Sequence, residues 1–196
     1  MSTPTDFVFG YGSLVALGPP VPTRAREPHG FVADLRGLRR CWGVAMNNRL
    51  DIPGYKFYLD EHGHRPDVHV AFLDIRPARG QSVNGVCLPV DPEQLAALDQ
   101  RERNYLRRDV TALCDLPGDA VRVWTYVGSP AGRRRSTISR SAGRAVVDRA
   151  YLDAVIGAFK RLGAAEYAAC APSLHPDGLP VMALSRHDLL STTIER

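Results

Sequence analysis

The chain has 196 residues, of which 44% are hydrophobic and 23% charged, and its formal net charge is +4 at pH 7. This length suits one domain, expected to span residues 1–196, and the composition argues against wholesale disorder. No apolar run is long enough for a membrane-spanning helix, and the first residues lack the basic and apolar regions typical of a signal peptide. We therefore predict a cytoplasmic protein that binds no membrane.

The cysteines and histidines give little sign of a metal site or a disulfide framework. Four cysteines are scattered along the chain without a Cys-x-x-Cys pair: Cys41, Cys87, Cys114 and Cys170. This spacing argues against structural zinc and favours free, buried thiols. His62, His64 and His69 lie close together and leave metal binding open as an alternative, but histidines in an acidic, glycine-containing loop are more often solvated.

Arginine supplies nearly all of the positive charge, since Lys56 and Lys160 are the only lysines. The densest cluster is Arg133-Arg134-Arg135, which has glycine and proline residues just before it. No aromatic residues interleave with these arginines, as they would in a surface that stacks single-stranded nucleic acid. The cluster is predicted to be a solvated loop, with a site for an acidic partner as the alternative, and we expect no nucleic acid partner.

Short strand-like stretches separated by glycine and proline turns dominate the first two-thirds of the chain. They cover residues 6–9, 41–46, 55–59, 69–75, 83–90, 105–113 and 121–127. Strands at such regular spacing are typical of barrels. The predicted fold class is α+β, a small closed or nearly closed mixed β-barrel with flanking helices.

Helical patterns flank and follow these strands. Asp91-Pro92-Glu93-Gln94 is a strong helix start, with Asp as N-cap, Pro at the first position and Gln at the third, for a helix running toward Arg103. The other predicted helices span residues 148–162 and 164–170, followed by a weak helical turn at 185–190. In the helix 148–162, Tyr151, Val155 and Phe159 are interpreted as a core stripe.

Glu102 is the first candidate for chemistry. At about 100° per residue, a helix that continued past Arg101 would place Glu102 between Leu95 and Leu98 on its apolar face, with Leu106 on the far side of Leu95. Burial and the carbonyl end of the helix would both raise the pKa of Glu102, as a general base or acid near neutrality requires. The alternative is that the helix ends by Arg101 and leaves Glu102 as an ordinary exposed carboxylate.

The second candidate is the glycine turn, residues 9–14, which reads Phe9-Gly10-Tyr11-Gly12-Ser13-Leu14. Its two glycines allow a tight turn and a close approach of a ligand to the backbone. Free N–H groups in such a turn can bind a carboxylate. It matches neither a dinucleotide fingerprint nor a Gly-x-Ser-x-Gly nucleophile elbow, and a plain structural turn is the alternative.

These two features coincide with a known family. The glycine turn, together with Leu98-Asp99-Gln100-Arg101-Glu102 and a following Tyr105, resembles the γ-glutamylcyclotransferase-like superfamily. Arg39-Arg40-Cys41-Trp42 is similar to a segment of its ChaC branch, which cleaves glutathione. The strand that contains Tyr126 resembles a later strand that supplies a tyrosine in several members.

The resemblance implies a transferase or lyase type of cyclisation in which a γ-glutamyl substrate closes on itself to release 5-oxoproline. Glu102 would then be the catalytic base and acid, and the substrate-binding residues would be Phe9, Gly10, Tyr11, Gly12, Ser13, Leu14, Tyr105 and Tyr126. No metal or cofactor is implied. The expected partner is a small γ-glutamyl molecule such as glutathione, and a homodimer is compatible with the resemblance. The leaving group stays open, and a catalytically silent binding module of the same fold is the alternative function.

Overall fold

The computed structural model describes residues 6–18, 29–114 and 122–189. The strands are β1 (Asp6–Gly10), β2 (Phe31–Asn47), β3 (Lys56–Leu59), β4 (His69–Val90), β5 (Tyr105–Asp109), β6 (Val123–Gly128), β7 (Ala145–Asp148), β8 (Val181–Met182) and β9 (Ser185–Asp188). The helices are α1 (Pro92–Arg101), α2 (Pro130–Ser141), α3 (Arg149–Leu162) and α4 (Ala164–Leu174). Short 3₁₀ turns cover Ser13–Leu17 and Thr111–Leu113. The turn expected at Pro117 and the start of the seventh predicted strand, Val121, lie outside the described residues.

The α+β class is confirmed, but the expectation of a closed barrel is wrong for the part of the chain that is described. Seven strands form one mixed sheet in the order β5-β6-β1-β4-β7-β8, with β2 paired to β4. These pairings leave the sheet open, with β5 at one end and β8 at the other. The sequence suggested many short strands because the long strands β2 and β4 are bent and bulged, with register shifts between Arg36 and Leu38 and between Trp42 and Val44.

Strand β4 organises the sheet because its two halves have different neighbours. Its first half pairs with β7 in parallel, from His69 to Ala71, and its last five residues pair with β1 in antiparallel fashion. Along most of its length β4 also pairs with β2. Strand β1 also pairs with β6, in parallel. It therefore lies between β4 and β6 in the sheet.

The helix predictions differ in outcome. Helix α1 has the expected capping box, in which the Asp91 side chain accepts from the backbone N–H of Gln94 and the Gln94 side chain accepts from that of Asp91. It ends at Arg101, so it stops short of Arg103. Helix α3 follows its N-cap Asp148 as predicted, and α4 extends beyond the predicted end at residue 170. No helix among the residues described is long and apolar enough to cross a membrane.

The arginine cluster is not a loop, because residues 130–141 form helix α2. The Ser129 side chain caps it by accepting from Gly132 N–H at 3.0 Å. The sequence pattern lacks an apolar stripe because the buried face of α2 is made of small residues, Gly132, Ser136 and Ser139. A face of this kind lets the helix pack close to the sheet without large apolar side chains.

Several arginines of α2 point toward the sheet. Arg133 Nε donates to Asp74 Oδ2 at 2.8 Å, and the Asp74 side chain is fully buried. Arg135 Nε donates to the Ala45 carbonyl at 2.9 Å, and Arg140 Nη2 donates to that of Trp42 at 2.8 Å. These guanidinium groups therefore satisfy buried acceptors of the fold.

The weak helical turn expected at 185–190 is instead strand β9 over its described residues. It pairs in antiparallel fashion with β3, which lies far earlier in the chain. All residues of β9 are exposed, so its sequence shows neither the apolar periodicity of a helix nor that of a strand. The β3–β9 ribbon is a separate two-stranded sheet.

Replacing Arg133 with Gln is expected to destabilise the protein by about 2–3 kcal/mol, because it removes the closer of the two cations paired with the buried Asp74 carboxylate and leaves only Arg76 Nε, 3.4 Å away. The partial exposure of Arg133 and the remaining Arg76 keep the effect below that of breaking a fully buried pair. Thermal unfolding should show a fall of about 5–10 °C. The neighbouring exposed Arg134 is the matched control, and Arg134→Gln should change stability by less than about 0.5 kcal/mol. Equal effects of the two changes would contradict this assignment.

Candidate active site

One small cavity gathers the residues that the sequence singled out. It has a volume of about 40 Å³ and is lined by the glycine turn, Leu73, Glu102, Tyr105, Tyr126 and Tyr151. The structure thus brings together all of the predicted substrate-binding positions and the predicted catalytic glutamate. Leu73 and Tyr151 are additions that sequence reasoning missed.

The glycine turn enters the cavity because β1 ends at Gly10 and a 3₁₀ turn begins at Ser13. A Cβ atom at Gly10 would lie 2.6 Å from the Cβ of Leu14, so only glycine permits this tight reversal. The backbone N–H groups of Ser13 and Leu14 open the 3₁₀ turn and have no acceptor within it. A compact backbone with N–H groups at its start is what close approach of a small anion needs.

Arg40 holds the glycine turn from behind. Its Nε donates to the Tyr11 carbonyl at 2.9 Å, and its Nη1 donates to Ser173 Oγ at 3.0 Å. The guanidinium also donates to the Asn84 carbonyl and stacks on the ring of Phe159, 4.8 Å from its centroid. Burial lowers the pKa of Arg40 to about 10. Arg40 therefore links β2, β4 and α4 to the turn.

Arg40 and Trp42, two residues apart on β2, have different partners. The aromatic partner of Arg40 is Phe159 of α3, and the Trp42 indole donates to the Leu174 carbonyl at 3.3 Å instead. Residues two apart on a strand share a face of the sheet, so the spacing is compatible with contact between Arg40 and Trp42. The spacing could not show which helix residues pack against each of them.

Three of the four tyrosines that line the cavity donate their hydroxyl hydrogens to protein acceptors. Tyr11 donates to the Tyr126 carbonyl at 2.6 Å, and Tyr105 donates to the Leu73 carbonyl at 2.7 Å. Tyr126 donates to Asp99 Oδ1 at 2.8 Å. Their phenol oxygens keep lone pairs that can accept from a ligand. Burial raises the pKa of each of these three tyrosines, so they stay neutral.

Glu102 combines features of both alternatives that the sequence left open. Helix α1 ends at Arg101, yet the Glu102 side chain is only 17% exposed. Burial raises its pKa, while Arg101, Lys56 and Arg186 oppose that shift. Arg101 Nε lies 3.3 Å from Glu102 Oε1. The result is a mostly buried carboxylate at the rim of a cavity, with a pKa above the ordinary glutamate value.

Tyr151 corrects the interpretation of α3 as core alone. Val155 and Phe159 are fully buried as expected, but Tyr151, one turn earlier, reaches the cavity. A Cβ atom on Gly12 would lie 3.1 Å from the Tyr151 hydroxyl oxygen, which places this hydroxyl against the glycine turn. The ring packs edge-on against Trp42 and Phe72. Tyr151 lies at helical spacing with the buried Val155 and Phe159, so the sequence pattern indicated only a core position.

The cavity adjoins an outer cleft of about 570 Å³. Both spaces share Ser13, Glu102, Tyr105 and Tyr151 as lining residues. Charged side chains line the rest of the cleft: Lys56, Arg101, Arg103, Asp148, Arg186 and Asp188. The site therefore has a narrow inner part and a wide, polar outer part, with the Glu102 carboxylate on the lining of both.

Comparison with known proteins places this fold in a family. Residues 8–143 match the family described as gamma-glutamyl cyclotransferase, AIG2-like. This chain belongs to that family. The match includes the glycine turn, Glu102, Tyr105 and Tyr126, but not Tyr151. No curated protein matches the chain.

Two solved structures share the fold over most of this chain. YkqA from Bacillus subtilis has a TM-score of 0.53 at 12% identity, with 90% of this chain and 56% of that chain covered. This chain therefore spans little more than half of YkqA. A gamma-glutamyl cyclotransferase specific to glutathione from yeast has a TM-score of 0.52 at 17% identity, with 88% of this chain and 98% of that chain covered. At such identities the likeness shows the fold alone.

The described residues contain no group of three or more His, Cys, Asp or Glu side chains placed to hold a metal ion. His62 and His64 are exposed and lie with ring centroids 6.4 Å apart. Cys87 and Cys114 are buried, with their sulfur atoms 3.9 Å apart, whereas Cys41 is only partly buried.

Arg101→Gln is expected to raise the pKa of Glu102 further, because it removes the cation that opposes the effect of burial most strongly. Carbon-13 NMR titration of the labelled glutamate carboxyls measures this directly. Arg103→Gln is the control, since Arg103 Nε donates to the Gln100 carbonyl at 3.2 Å and does not contribute to the shift. A lowered pKa in Arg101→Gln, or equal shifts in both variants, would contradict the assignment.

Proposed function

We propose that this chain is a γ-glutamyl cyclotransferase that releases 5-oxoproline from a γ-glutamyl amide, with Glu102 as general base and acid. The observation that carries the proposal is the position of the Glu102 carboxylate, mostly buried and with a raised pKa, on the cavity that the glycine turn lines. Family membership supports the reaction class. The substrate is a small molecule such as glutathione, a γ-glutamyl peptide or a γ-glutamyl amine.

The main catalytic requirement of this reaction is proton transfer to and from the two nitrogen atoms. Glu102 takes a proton from the α-ammonium group of the substrate, and the freed amine attacks the γ-carbonyl carbon to form a C–N bond and a five-membered ring. The amide C–N bond then breaks, and Glu102 returns the proton to the leaving nitrogen. The ring nitrogen also gives up its second proton, so that the lactam is neutral and the amine leaves as an ammonium ion. The products are 5-oxoproline and a free amine, amino acid or peptide, so neither water nor a cofactor is consumed. Ring closure within one molecule already has the advantage of proximity.

The same carboxyl group can serve both steps because of its raised pKa. An ordinary exposed glutamate is a weak base for an ammonium group and is rarely protonated near pH 7. Burial brings the pKa of Glu102 closer to the working pH, and this makes both acceptance and return of the proton easier.

The remaining cavity residues supply binding and orientation in this proposal. The N–H groups at the start of the 3₁₀ turn and the Ser13 hydroxyl can bind the α-carboxylate or stabilise the oxyanion of the tetrahedral intermediate. The phenol oxygens of Tyr105 and Tyr126, whose hydrogens are donated to Leu73 and Asp99, can accept from the substrate ammonium group.

We also propose that nucleic acid is not a partner. The support is that Arg133, Arg135 and Arg140 of α2 bind acceptors of the sheet. Arginines used in this way leave fewer cations for a phosphate backbone, whose binding would show a steep dependence on salt.

Glu102→Gln is expected to lower 5-oxoproline formation by about 10²–10⁴-fold, because the amide can neither accept nor return the proton. The folded state should keep or gain stability. A folded-state pKa raised by burial means that stability present at low pH is lost as pH rises through that pKa, and the neutral amide avoids this loss at pH 7. Mass spectrometry of the product and thermal unfolding measure the two effects.

Glu93→Gln, an exposed change at the start of α1, is the matched control and should retain full turnover. Substantial activity in Glu102→Gln would rule out the mechanism. Absence of product from every γ-glutamyl substrate, combined with thermal stabilisation by those substrates, would instead identify a silent binding module.

A further inference from the structure

The outer cleft contains one cation whose role in the fold is unexplained. Lys56 lies on β3, and its register partner on β9 is Asp188. Because side chains alternate along a strand, Lys56 and Tyr58 face the cleft together with Arg186 and Asp188. The intervening Phe57 belongs to the opposite face.

Every other charged side chain of the cleft has a partner within the described residues. Arg186 Nη2 lies 2.7 Å from Asp188 Oδ1, and Arg101 Nε lies 3.3 Å from Glu102 Oε1. Asp148 caps α3 by accepting from the N–H groups of Ala150 and Tyr151, and Arg103 donates to the Gln100 carbonyl.

Lys56 differs from these groups, because its ammonium has no ion pair and no hydrogen bond to any part of the described chain. It lies over the ring of Phe72, 4.5 Å from the centroid, with the rings of Tyr55 and Tyr58 at 5.6 Å and 6.0 Å. Burial and the charge of Arg186 lower its pKa to about 8. Glu102 and Asp188 act on the ammonium only from beyond ion-pair distance, so this partly buried cation is placed to form an ion pair with an anion that enters the cleft.

We propose that Lys56 binds the carboxylate of the leaving group, so that the preferred substrates are γ-glutamyl amino acids or peptides and not γ-glutamyl derivatives of uncharged amines. This inference rests on the proposed function. The γ-glutamyl part lies at the inner cavity beside Glu102, and the group beyond the scissile amide extends into the outer cleft that Lys56 lines. A carboxylate at that position provides the anion that the ammonium lacks.

A matched pair of substrates tests this assignment. γ-Glutamyl-alanine and γ-glutamyl-ethylamide differ only by the carboxylate of the leaving group, and both keep the α-carboxylate of the γ-glutamyl part. The wild type should have kcat/KM about 10- to 100-fold higher for γ-glutamyl-alanine, as expected of a charged hydrogen bond. Lys56→Gln should remove most of that preference, measured as the ratio of the two kcat/KM values within one variant, because any change at Glu102 caused by the loss of Lys56 affects both substrates alike and cancels in the ratio.

The chain offers its own control, because Lys160 is the only other lysine and lies exposed on α3. Lys160→Gln should leave both substrates unaffected, and Lys56→Arg should restore part of the preference because it keeps a cation. An equal loss on both substrates in Lys56→Gln would overturn the proposal, since it would assign Lys56 to the γ-glutamyl part or to the fold. The absence of any preference in the wild type would also overturn it.

Binding distinguishes failure of this inference from failure of the proposed function. Calorimetric titration of both compounds into Glu102→Gln, and into the same variant carrying Lys56→Gln, measures recognition without turnover. If the wild type forms no 5-oxoproline but binding still favours γ-glutamyl-alanine in a Lys56-dependent way, the subsite is supported and the reaction is not. If product forms and neither rate nor binding depends on Lys56, the reaction is supported and the subsite is overturned.

Discussion

The fully buried carboxylate of Asp74 constrains the elements that meet beside β4. It accepts from the N–H of Gly128 at 2.7 Å and is paired with Arg133 of α2 at 2.8 Å. A Cβ atom on residue 128 would lie 2.7 Å from Asp74 Oδ2 and 2.5 Å from a methyl group of Val44, so glycine is required for this approach. Because Gly128 pairs with Tyr105 across β5 and β6, the same contact fixes the strands that bring Tyr105 and Tyr126 to the cavity.

Two buried carboxylates of this protein have different surroundings, and the difference explains their different roles. Asp74 accepts from two backbone N–H groups and pairs with the guanidinium groups of Arg133 and Arg76, so its charge is compensated within the fold. Glu102 faces a cavity with Arg101 at its edge, and burial outweighs the neighbouring cations in setting its pKa. A compensated carboxylate stabilises structure, whereas one that is incompletely compensated stays ready to exchange a proton.

The sequence predicted the parts of the site that carry local signals. The glycine turn lies directly after a short apolar strand, and α1 starts at a capping box, so the positions near Glu102 could be found without a structure. Tyr151 and Lys56 have no such signal. Tyr151 occupies a helix face that is otherwise core, and Lys56 faces the cleft only because β3 pairs with the distant β9. Helix α2 was missed because its buried face consists of small residues and not of an apolar stripe.

The inner cavity and the outer cleft differ in how much of their lining comes from the segment that matches the family, residues 8–143. The family match ends at residue 143 and includes the glycine turn and Glu102, which serve the common chemistry in the proposed mechanism. A smaller part of the outer cleft, including Asp148, Tyr151 and Arg186, comes from residues beyond that match. Lys56 lies within the matched part, but β9 supplies the strand that pairs with β3 beside it. Under the proposed function, the residue that moves the proton therefore lies within the matched segment, whereas part of the surface beside the leaving group lies beyond it.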